Sequence, residues 1–493
     1  MIIYILLIKG GKKMDEFEIK SYLLRVINTT PRLIGAKLKY EYKYLRQRKE
    51  FFELKSYVDN FLENINQDKF FIMPGLRGVG KTTIIYQLYD YLINEISLDS
   101  TRVLYLDLER LKDEANINIM DFFDVFIKEI NEKYQYTDKA LFIFVDETQY
   151  DMNWESHAKL LYDENVNVFT IFTGSNALNL QMNANTARRS IIKELYPLNF
   201  KEYLEIKYNL NFPNNISEVI FKLLFRGDIT KIKEIEKEIH LNFSSNLEKN
   251  VKLLWEDFIQ YGNLPFGLYK KHVDLIKETM EIKDKIIEKD MTLINSFNSD
   301  TLHAALILIN LIAKQKPGES SLNKLSDTLD IDKNTVKELL KTLKKTGLIF
   351  SIDSYGSTSK RSKKRKEYYF SSTQIKAAFF LNKGDVSNNY RQYLGILLEN
   401  LVASQLNKLK MQKGDSIEIY FDSKKAGVDF IIKDLNHKAI PIEVGIGKKN
   451  KKQIKTAIKR YDADYGIIIS DKTDYLIKDE DVIFIPYKIF SLM

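Results

Sequence analysis

The spacing of hydrophobic residues divides the chain into two kinds of segment. Continuous apolar runs at residues 70–73, 103–108, 141–145 and 168–172 are separated by longer stretches with helical periodicity. Apolar runs without alternation, joined by helices, are typical of parallel strands that are buried on both faces. The pattern therefore predicts an α/β fold class, with a parallel sheet in the first half of the chain.

The rest of the chain predicts further domains, because 493 residues exceed what one hydrophobic core usually holds. Beyond the sheet the pattern is helical, then three helices precede two strands, and a helix followed by strands completes the chain. We expect a helical N-terminal extension, an α/β core, a helical lid or connector, a winged-helix domain and a C-terminal α/β domain. Their predicted bounds are 1–66, 67–204, 205–300, 301–372 and 373–493.

Composition narrows the chemistry that the chain can perform. It has no cysteine, which excludes disulfides, thiolate zinc sites and cysteine nucleophiles, and its five histidines are too scattered for a zinc site. The net charge of +8 fits anionic partners as well as simple solubility. An apolar run at residues 2–8 is too short to cross a membrane. It fits an edge strand, or a start-site artefact in which Met14 rather than Met1 is the true first residue. We expect a cytoplasmic protein with no membrane partner.

A glycine-rich loop lies between the first strand and the first helix of the α/β core. Its residues GLRGVGKT, from Gly75 to Thr82, match G-x-x-x-x-G-K-[ST] in full. Glycines let backbone N–H groups turn toward a phosphate, and the following helix points its positive end at the same anion. Lys81 would reach the β- and γ-phosphates, and Thr82 would bind Mg²⁺. The predicted contacts to ATP–Mg²⁺ are Gly75, Gly78, Val79, Gly80, Lys81, Thr82 and Thr83. No residue identifies the base.

A second motif places two carboxylates after the strand at 141–145. Asp146 would hold Mg²⁺ through water, and Glu147 would orient and deprotonate the attacking water. Such a pair is also common at turns, but its distance from the loop favours a nucleotide site. Because the strand at 103–108 comes between the two motifs in the chain, we expect it to lie between their strands in the sheet.

Further candidates follow the strand at 168–172. Ser175 and Asn176 can contact the γ-phosphate or the attacking water, although an ordinary strand-end turn explains them equally well. Arg188 and Arg189 come soon after. One of them can stabilise charge in the transition state, in the same chain or across a subunit interface, although an arginine pair is more often a solvated surface.

A helix at 333–345 predicts the centre of a winged helix-turn-helix. Asp332 can cap it, and its hydrophobic positions Val336, Leu339, Leu340 and Leu343 share one face. The opposite face carries Asn334, Lys337, Lys341 and Lys344. A hairpin at 348–352 and 368–370 follows, and its loop contains Lys360, Arg361, Lys363, Lys364, Arg365 and Lys366. The helix and the basic loop fit duplex DNA, and they also fit a protein-binding lid module with a solvated loop.

Several segments together resemble a known family: archaeal and bacterial AAA+ (STAND-like) P-loop ATPases with a C-terminal domain of unknown function, itself similar to restriction-endonuclease-like folds. The matching segments are GLRGVGKTT, FIFVDETQ, FTGSN, LYPLNFKEYL, YGNLP, GILLEN, GVDF and IEV. The resemblance implies an ATPase. It also implies that Arg189 occupies the position of a family arginine, with Arg188 where a glycine usually precedes it.

The same resemblance gives three C-terminal carboxylates a shared interpretation. Glu399 lies in a predicted helix, Asp429 in a predicted strand and Glu443 in the next strand. Carboxylates from such elements can hold Mg²⁺ for phosphodiester hydrolysis. The endonuclease-like pattern implies a lysine two residues after the glutamate, where this chain has Gly445; lysines at 448–449 lie past the strand. We therefore expect a degenerate nuclease site, with its carboxylates kept for structure or for a partner surface.

Three functions fit these observations. The first is an ATP-driven switch that repositions the winged-helix and C-terminal domains. The second is an ATP-gated DNA nuclease, and the third is a DNA-binding regulator with little turnover. Gly445 argues against the nuclease, and Glu147 argues against a regulator without hydrolysis. The candidate partners are duplex DNA, a second copy of the chain and another protein.

Overall fold

The structure, a computed structural model, describes residues 14–63, 68–114, 118–134, 137, 139–176, 184–245, 250–314, 322–356, 366–382, 389–434, 438–447 and 451–493. The chain forms two compact units, Met1–Leu195 and Tyr196–Met493, each with its own sheet and hydrophobic core. The apolar run at 2–8, the lysines at 448–449 and the predicted loop residues Lys360, Arg361, Lys363, Lys364 and Arg365 lie outside the described residues. Among the helices that the structure describes, none is long and apolar enough to cross a membrane.

Two helices and a small hairpin precede the sheet of the first unit. These elements are α1 (Glu16–Lys37), β1 (Lys39–Tyr40), β2 (Lys43–Tyr44) and α2 (Lys49–Glu63). Helix α1 begins at a capping box, in which the side chains of Asp15 and Glu18 each accept the other's backbone N–H. Its buried residues Ile19, Leu23 and Ile27 recur at helical spacing, so α1 presents one apolar face to the core.

A five-stranded parallel sheet forms the centre of the first unit. Its strands are β3 (Phe70–Pro74), β4 (Val103–Asp107), β5 (Leu141–Asp146), β6 (Val168–Gly174) and β7 (Ile191–Ile192). Their order across the sheet is β4-β5-β6-β3-β7. Every residue of β3, β5 and β6 is buried, as expected for strands covered on both faces. The predicted α/β class and parallel sheet are confirmed.

The order of the strands corrects one expectation. The strand between the two motif strands, β3 and β5, is β6, whereas β4 lies at the edge beyond β5. Thr173 of β6 is paired with Met73 of β3, and Phe172 with Val145 of β5. The expectation was wrong because chain order does not determine which later strand is inserted between two earlier ones. As a result, the residues that follow β6 emerge beside the glycine-rich loop.

Helices connect the strands of the first sheet, because parallel neighbours need a long crossover. They are α3 (Lys81–Asp90), α4 (Leu108–Glu114), α5 (Ile119–Asp124), α6 (Trp154–Glu164) and α7 (Ala184–Arg189). Helix α3 begins directly after Gly80, which has a left-handed conformation, and it continues into a π-helical turn at Tyr91–Glu95. The positive end of α3 therefore borders the glycine-rich loop.

The second unit begins with nine helices among its described residues. They are α8 (Phe200–Tyr208), α9 (Ile216–Arg226), α10 (Thr230–Ser245), α11 (Val251–Asp257), α12 (His272–Lys285), α13 (Met291–Ile294), α14 (Ser299–Lys314), α15 (Leu322–Leu329) and α16 (Lys333–Lys345). The side chain of Asp332 caps α16 by accepting the N–H groups of Asn334 at 2.8 Å and Thr335 at 3.1 Å. The predicted apolar face is buried: Val336, Leu339, Leu340 and Leu343. The predicted cap and buried face are both confirmed.

An eight-stranded mixed sheet forms the second half of this unit. Its strands are β8 (Ile349–Ser354), β9 (Lys366–Phe370), β10 (Ile417–Phe421), β11 (Phe430–Asp434), β12 (Ile440–Gly445), β13 (Gly466–Ser470), β14 (Ile477–Asp479) and β15 (Val482–Pro486), in the order β14-β15-β13-β12-β11-β10-β8-β9. Its helices are α17 (Thr373–Leu381), α18 (Tyr390–Lys413), α19 (Lys451–Tyr461) and α20 (Tyr487–Phe490). The hairpin β8–β9 follows α16 as predicted. It also joins the C-terminal sheet, because Asp353 of β8 is paired with Tyr420 of β10.

Candidate active site

The glycine-rich loop adopts a backbone that only small residues allow. Gly78 and Gly80 have φ angles of 86° and 96°, in the left-handed region that glycine tolerates without steric cost. Gly75 packs closely against the carboxyl end of the first unit, because a Cβ atom there would lie 2.5 Å from the carbonyl oxygen of Leu195. All three glycines of the motif therefore have a structural reason: Gly78 and Gly80 for their backbone conformation, and Gly75 for its close packing.

Lys81 lies inside this loop. It is 5% exposed, and its Nζ donates to the carbonyl oxygens of Gly75 at 2.8 Å and Leu76 at 3.2 Å. These bonds hold the ammonium group against the backbone of the loop, at the start of α3. A phosphate held by the loop would meet this charge directly. Thr83, predicted as a further nucleotide contact, follows in the first turn of α3.

Asp146 lies at the end of β5 and is 2% exposed. The hydroxyl of Thr82 donates to its Oδ2 at 2.6 Å, and the hydroxyl of Thr173 donates to its Oδ1. The Tyr105 hydroxyl is 3.3 Å from Oδ2. Burial and then the charge of Asp146 raise the pKa of Tyr105 well above its usual value, so its hydroxyl stays protonated and able to donate. The structure thus joins the predicted threonine and aspartate of the metal site.

Glu147 has a strained backbone, with φ of 53° in the left-handed region. Such conformations in a residue other than glycine are costly and are concentrated at functional sites. Its carboxylate accepts a hydrogen bond from the side-chain amide of Gln149. The amide oxygen of Gln149 in turn accepts the N–H of Ser175 at 3.2 Å. The candidate base is therefore tied to the end of β6.

Arg77, which sequence reasoning did not select, also reaches this carboxylate. Its guanidinium lies 3.5 Å from Glu147 Oε2 and 3.7 Å from Glu109 Oε2. The hydroxyl of Tyr150 is 3.4 Å from Arg77 Nη2 and 3.3 Å from the other oxygen of Glu109. Arg77 occupies an unspecified position of the loop motif, so the motif carries no signal for it. A charged side chain inside a glycine-rich loop was the only hint.

The residues after β6 face the same region. The Ser175 hydroxyl oxygen and the Asn176 side-chain oxygen are buried, and neither has a hydrogen-bond partner among the described residues. Buried polar atoms are rarely left in this state. Both atoms are therefore suited to a ligand or a water molecule at the end of the sheet.

Arg189 lies elsewhere. Its Nε donates to Asp163 at 3.0 Å, and Asp163 is near the end of α6, where the chain enters β6. The amino ends of parallel strands lie at the opposite edge of a sheet from the carboxyl ends. The structure therefore does not bring Arg189 to the glycine-rich loop of its own chain, and Arg188 is exposed beside it. A role for Arg189 across a subunit interface stays a prediction.

Two family models match the chain. A model described as an AAA domain matches residues 67–204, and a model described as a domain of unknown function (DUF4143) matches residues 394–490. The first match includes the glycine-rich loop with Asp146 and Glu147. The second includes the three predicted C-terminal carboxylates.

A full-length relative determines the family. The uncharacterized protein MJ1637 of Methanocaldococcus jannaschii is 33% identical over 476 residues, which cover 97% of this chain and 94% of that protein. The chain belongs to the family of MJ1637. A second protein of that organism, MJ1544, is 25% identical over 407 residues and 80% of this chain, or 78% of its own length. An AAA domain with a C-terminal domain of unknown function is thus confirmed, whereas a restriction-endonuclease-like fold stays a prediction.

Solved structures resemble the chain only loosely. The Aeropyrum pernix ORC1 protein in complex with DNA is 10% identical, with a TM-score of 0.34 over 70% of this chain and 96% of that one. The AMPPCP-bound DnaA of Aquifex aeolicus is 18% identical, with a TM-score of 0.23 over 61% of this chain and 89% of that one. Scores this low carry no argument about shared ligands or partners.

In the DUF4143 domain, Asp429 lies near each of the other two predicted carboxylates. Asp429 precedes β11, and its Oδ2 accepts the N–H of Val444 at 2.6 Å beside Glu443, which is 2% exposed. Burial, together with the charges of Asp429 and Glu367, raises the pKa of Glu399 to about 8. Among the described residues, no group of three or more acidic or histidine side chains is arranged to hold a metal ion.

A buried lysine accompanies this cluster. Lys376 on α17 is 0% exposed, and its Nζ has no hydrogen-bond partner in the described part of the chain. Burial lowers its pKa to about 8, and the charge of Glu399 opposes that shift. The hydroxyl of Tyr369 lies 3.2 Å from Glu399 Oε1 and 3.0 Å from Glu367 Oε2. The structure thus places a basic residue from another element beside the carboxylates.

The predicted DNA-binding surface is described in part. On α16, Lys337, Lys341 and Lys344 are exposed. Neighbouring protein atoms partly desolvate the ammonium group of Lys344 and lower its pKa, and the nearby charges of Lys366 and Lys410 lower it further. Lysines therefore meet where α16, β9 and α18 come together, and Lys366 is the described member of the predicted basic loop.

Proposed function

We propose that the AAA domain binds ATP–Mg²⁺ at the loop 75–83 and hydrolyses ATP, with the reaction switching the state of the second unit. The contact between Thr82 and Asp146, 2.6 Å long, carries the proposal. It joins the first helical turn after the loop to the carboxylate at the end of β5. Glu147 follows directly, with a backbone strain that ordinary turns seldom keep.

The oxygen ligands at this position suit Mg²⁺. In nucleotide sites Mg²⁺ takes one or two protein oxygens and fills its other positions with phosphate oxygens and water. Thr82 would supply a direct oxygen, and Asp146 would hold the ion through water. When bound, Mg²⁺ neutralises charge on the phosphates during transfer. The hydroxyl groups of Thr173 and Tyr105 keep the aspartate oriented.

The remaining residues of the site would each have a separate role in hydrolysis. Lys81 would contact the β- and γ-phosphates that the loop holds. Glu147 would orient the attacking water and accept its proton. The buried oxygen atoms of Ser175 and Asn176 would complete the position of that water, and they are otherwise without a partner in the described structure.

A route from the loop to the second unit supports a switch. The N–H of Leu195, the last residue of the first unit, donates to Pro74 at 2.8 Å, and Leu195 is bridged to Gly75. Tyr196 then begins the second unit. A change in the loop would therefore displace the segment through which the chain enters the second unit.

Turnover by the purified protein tests the proposal. We expect Lys81→Ala to lose ATP binding and Glu147→Gln to bind ATP without hydrolysing it. Lys193→Ala is the matched control, because it removes a half-buried lysine that pairs with Glu53 in the same unit. If wild-type protein binds ATP and turns over no faster than Glu147→Gln, the chain is instead a nucleotide sensor.

DNA is the partner that the lysine cluster favours. Exposed Lys337 and Lys341 lie on α16 near Lys344, and phosphate contacts of this kind make affinity strongly salt-dependent. Lys337→Ala/Lys341→Ala should weaken duplex binding and flatten its salt dependence. The matched control is a pair of exposed lysines on α10, Lys233→Ala/Lys237→Ala. Equal effects of both pairs would contradict a DNA surface on α16.

The nuclease alternative has one observation in its favour, the proximity of Lys376 to Glu399. Gly445 still stands where the endonuclease-like pattern has lysine, and Lys376 is fully buried. Incubation with supercoiled DNA, ATP and Mg²⁺ or Mn²⁺ tests it directly. Cleavage by wild type that Asp429→Asn abolishes would establish the nuclease. Binding without cleavage would favour the switch or a regulator.

A further inference from the structure

We propose that Arg77 is a positioning residue for Glu147, through which the phosphate loop controls the orientation of the candidate base. The inference rests on the proposed ATPase function and adds a residue that neither the motif nor the family assignment identifies. Arg77 belongs to the loop itself, whereas Glu147 follows β5, two strands away in the sheet. Their contact therefore links two parts of the site that the backbone does not connect.

Other side chains contact both members of the Arg77–Glu147 pair. Arg77 Nη2 lies 3.5 Å from Glu147 Oε2, the same oxygen that accepts the amide of Gln149. The same Nη2 lies 3.4 Å from the Tyr150 hydroxyl, and the other terminal nitrogen, Nη1, lies 3.7 Å from Glu109 Oε2. The Arg77 and Glu147 side chains are 10% and 15% exposed. Solvent screening of the pair is therefore limited.

Orientation matters because of the backbone at Glu147. Its backbone is held at a left-handed φ, so the remaining freedom of its carboxylate is rotation about the side-chain bonds. Arg77 and Gln149 restrict that rotation from two directions. A general base acts only within hydrogen-bond reach of the proton that it accepts. A displacement of about 1 Å can cost roughly 100-fold in rate.

The arrangement also explains why arginine stands in a loop that otherwise needs small residues. Gly78 and Gly80 provide the loop's left-handed turns, so Arg77 is not required for its backbone. Its guanidinium can contact Glu147 and Glu109 at once because it is planar and carries five N–H donors. Lysine would keep the charge but contact one partner at a time. Arg77→Lys should therefore retain only part of the effect.

The test compares turnover with nucleotide affinity. We expect Arg77→Ala to lower kcat about 10- to 100-fold, while the Kd for fluorescent methylanthraniloyl-ADP changes less than about 3-fold. Arg77→Lys should recover part of kcat. Any residual rate of Glu147→Gln should be unchanged in Arg77→Ala/Glu147→Gln, because the group that Arg77 orients is already inactive. Arg102→Ala is the control: it removes a half-buried arginine that bonds the carbonyl of Ala140, away from the site, and kcat should not change.

Each other outcome overturns a defined claim. If Arg77→Ala hydrolyses ATP at or above the wild-type rate, Arg77 does not position Glu147. If Kd weakens as much as kcat falls, Arg77 holds nucleotide or the loop rather than the base. An additive loss in the double variant contradicts the coupling. If wild-type protein is no faster than Glu147→Gln, the proposed hydrolysis fails, and the inference fails with it.

Discussion

Replacing Thr173 with valine removes one hydroxyl donor from the buried carboxylate of Asp146 and keeps the β-branched shape that suits β6. Thr173 is 0% exposed, and its hydroxyl donates to Oδ1. Thr170 of the same strand provides the matched control. It is 3% exposed, and its hydroxyl reaches the uncharged carbonyl oxygen of Lys69 at 3.3 Å.

The expected costs differ because the two acceptors differ. A hydrogen bond to a charged group contributes about 1.5–3 kcal/mol to stability. Asp146 keeps the Thr82 and Tyr105 hydroxyls and the N–H of Glu147 as donors, so Thr173→Val should cost about 2 kcal/mol. The Lys69 carbonyl keeps the backbone N–H of Thr170 at 2.7 Å. Thr170→Val should therefore cost no more than about 0.5 kcal/mol.

Urea unfolding with tryptophan fluorescence measures both changes. The chain has two tryptophans, one in each unit, and Trp154 packs against Phe172 beside Thr173 with ring centroids 5.9 Å apart. In a Trp255→Phe background the signal therefore reports on the first unit. ATP affinity in Mg²⁺ and in EDTA gives a second measurement, because a misoriented Asp146 should weaken binding only where Mg²⁺ is present.

The reasoning fails if the two valine variants lose equal stability. Equal losses would mean that the charge of Asp146 adds nothing to the bond with Thr173. It also fails if Thr173→Val weakens ATP binding equally in EDTA and in Mg²⁺, because the hydroxyl would then support the loop rather than the metal site.

Further predictions concern the second unit. Gly262→Ala should lower the unfolding midpoint of this unit, because the new Cβ would lie 2.4 Å from the buried ring of Tyr203. Gly395→Ala lies inside α18 with nothing within 4 Å of the new Cβ, so it should raise stability by about 0.5–1 kcal/mol. Denaturant titrations in which both variants shift stability in the same direction would contradict this. Asn263→Ala deletes bonds to two buried backbone groups and should cost about 2–4 kcal/mol in the same titration; a loss near zero would contradict it. The folded-state pKa of Glu399, about 8, is above its ordinary 4.5. Its contribution to stability is therefore complete below pH 4.5 and is lost as pH rises toward 8. Thermal melts of Glu399→Gln should fall less steeply over that range, and a slope equal to wild type would refute the assignment.

Local motifs explain why most residues of the candidate site could be selected from the sequence. Lys81 and Thr82 follow from the loop pattern, and Asp146 follows from an apolar strand that ends in a carboxylate. Their meeting required only that the carboxyl ends of parallel strands share one edge of the sheet. Ser175 was placed by the same reasoning, although its buried hydroxyl was visible only in the structure.

Contacts between residues that are far apart in the chain could not be predicted from the sequence. Arg77 and Tyr150 are 73 positions apart, and no periodicity connects them. The place of β6 between β3 and β5 was missed for a related reason, since hydrophobic runs identify strands but not their neighbours. Lys376 lies outside any recognisable motif, and its approach to Glu399 depends on how α17 and α18 pack. The pairing of β8 with β10 likewise could not be predicted from the sequence, because the two strands are far apart in the chain.

The position of β3 in its sheet has a consequence for how the protein is made. Both of its neighbours, β6 and β7, lie roughly 100 residues later in the chain. At synthesis rates of about 5–20 residues per second, the ribosome needs on the order of 5–20 s to complete them. During that interval β3 has neither partner, and its apolar residues remain uncovered by the sheet. A nascent chain can therefore complete the candidate site only late, because the strand that precedes the glycine-rich loop pairs only after both of its neighbours have been synthesised.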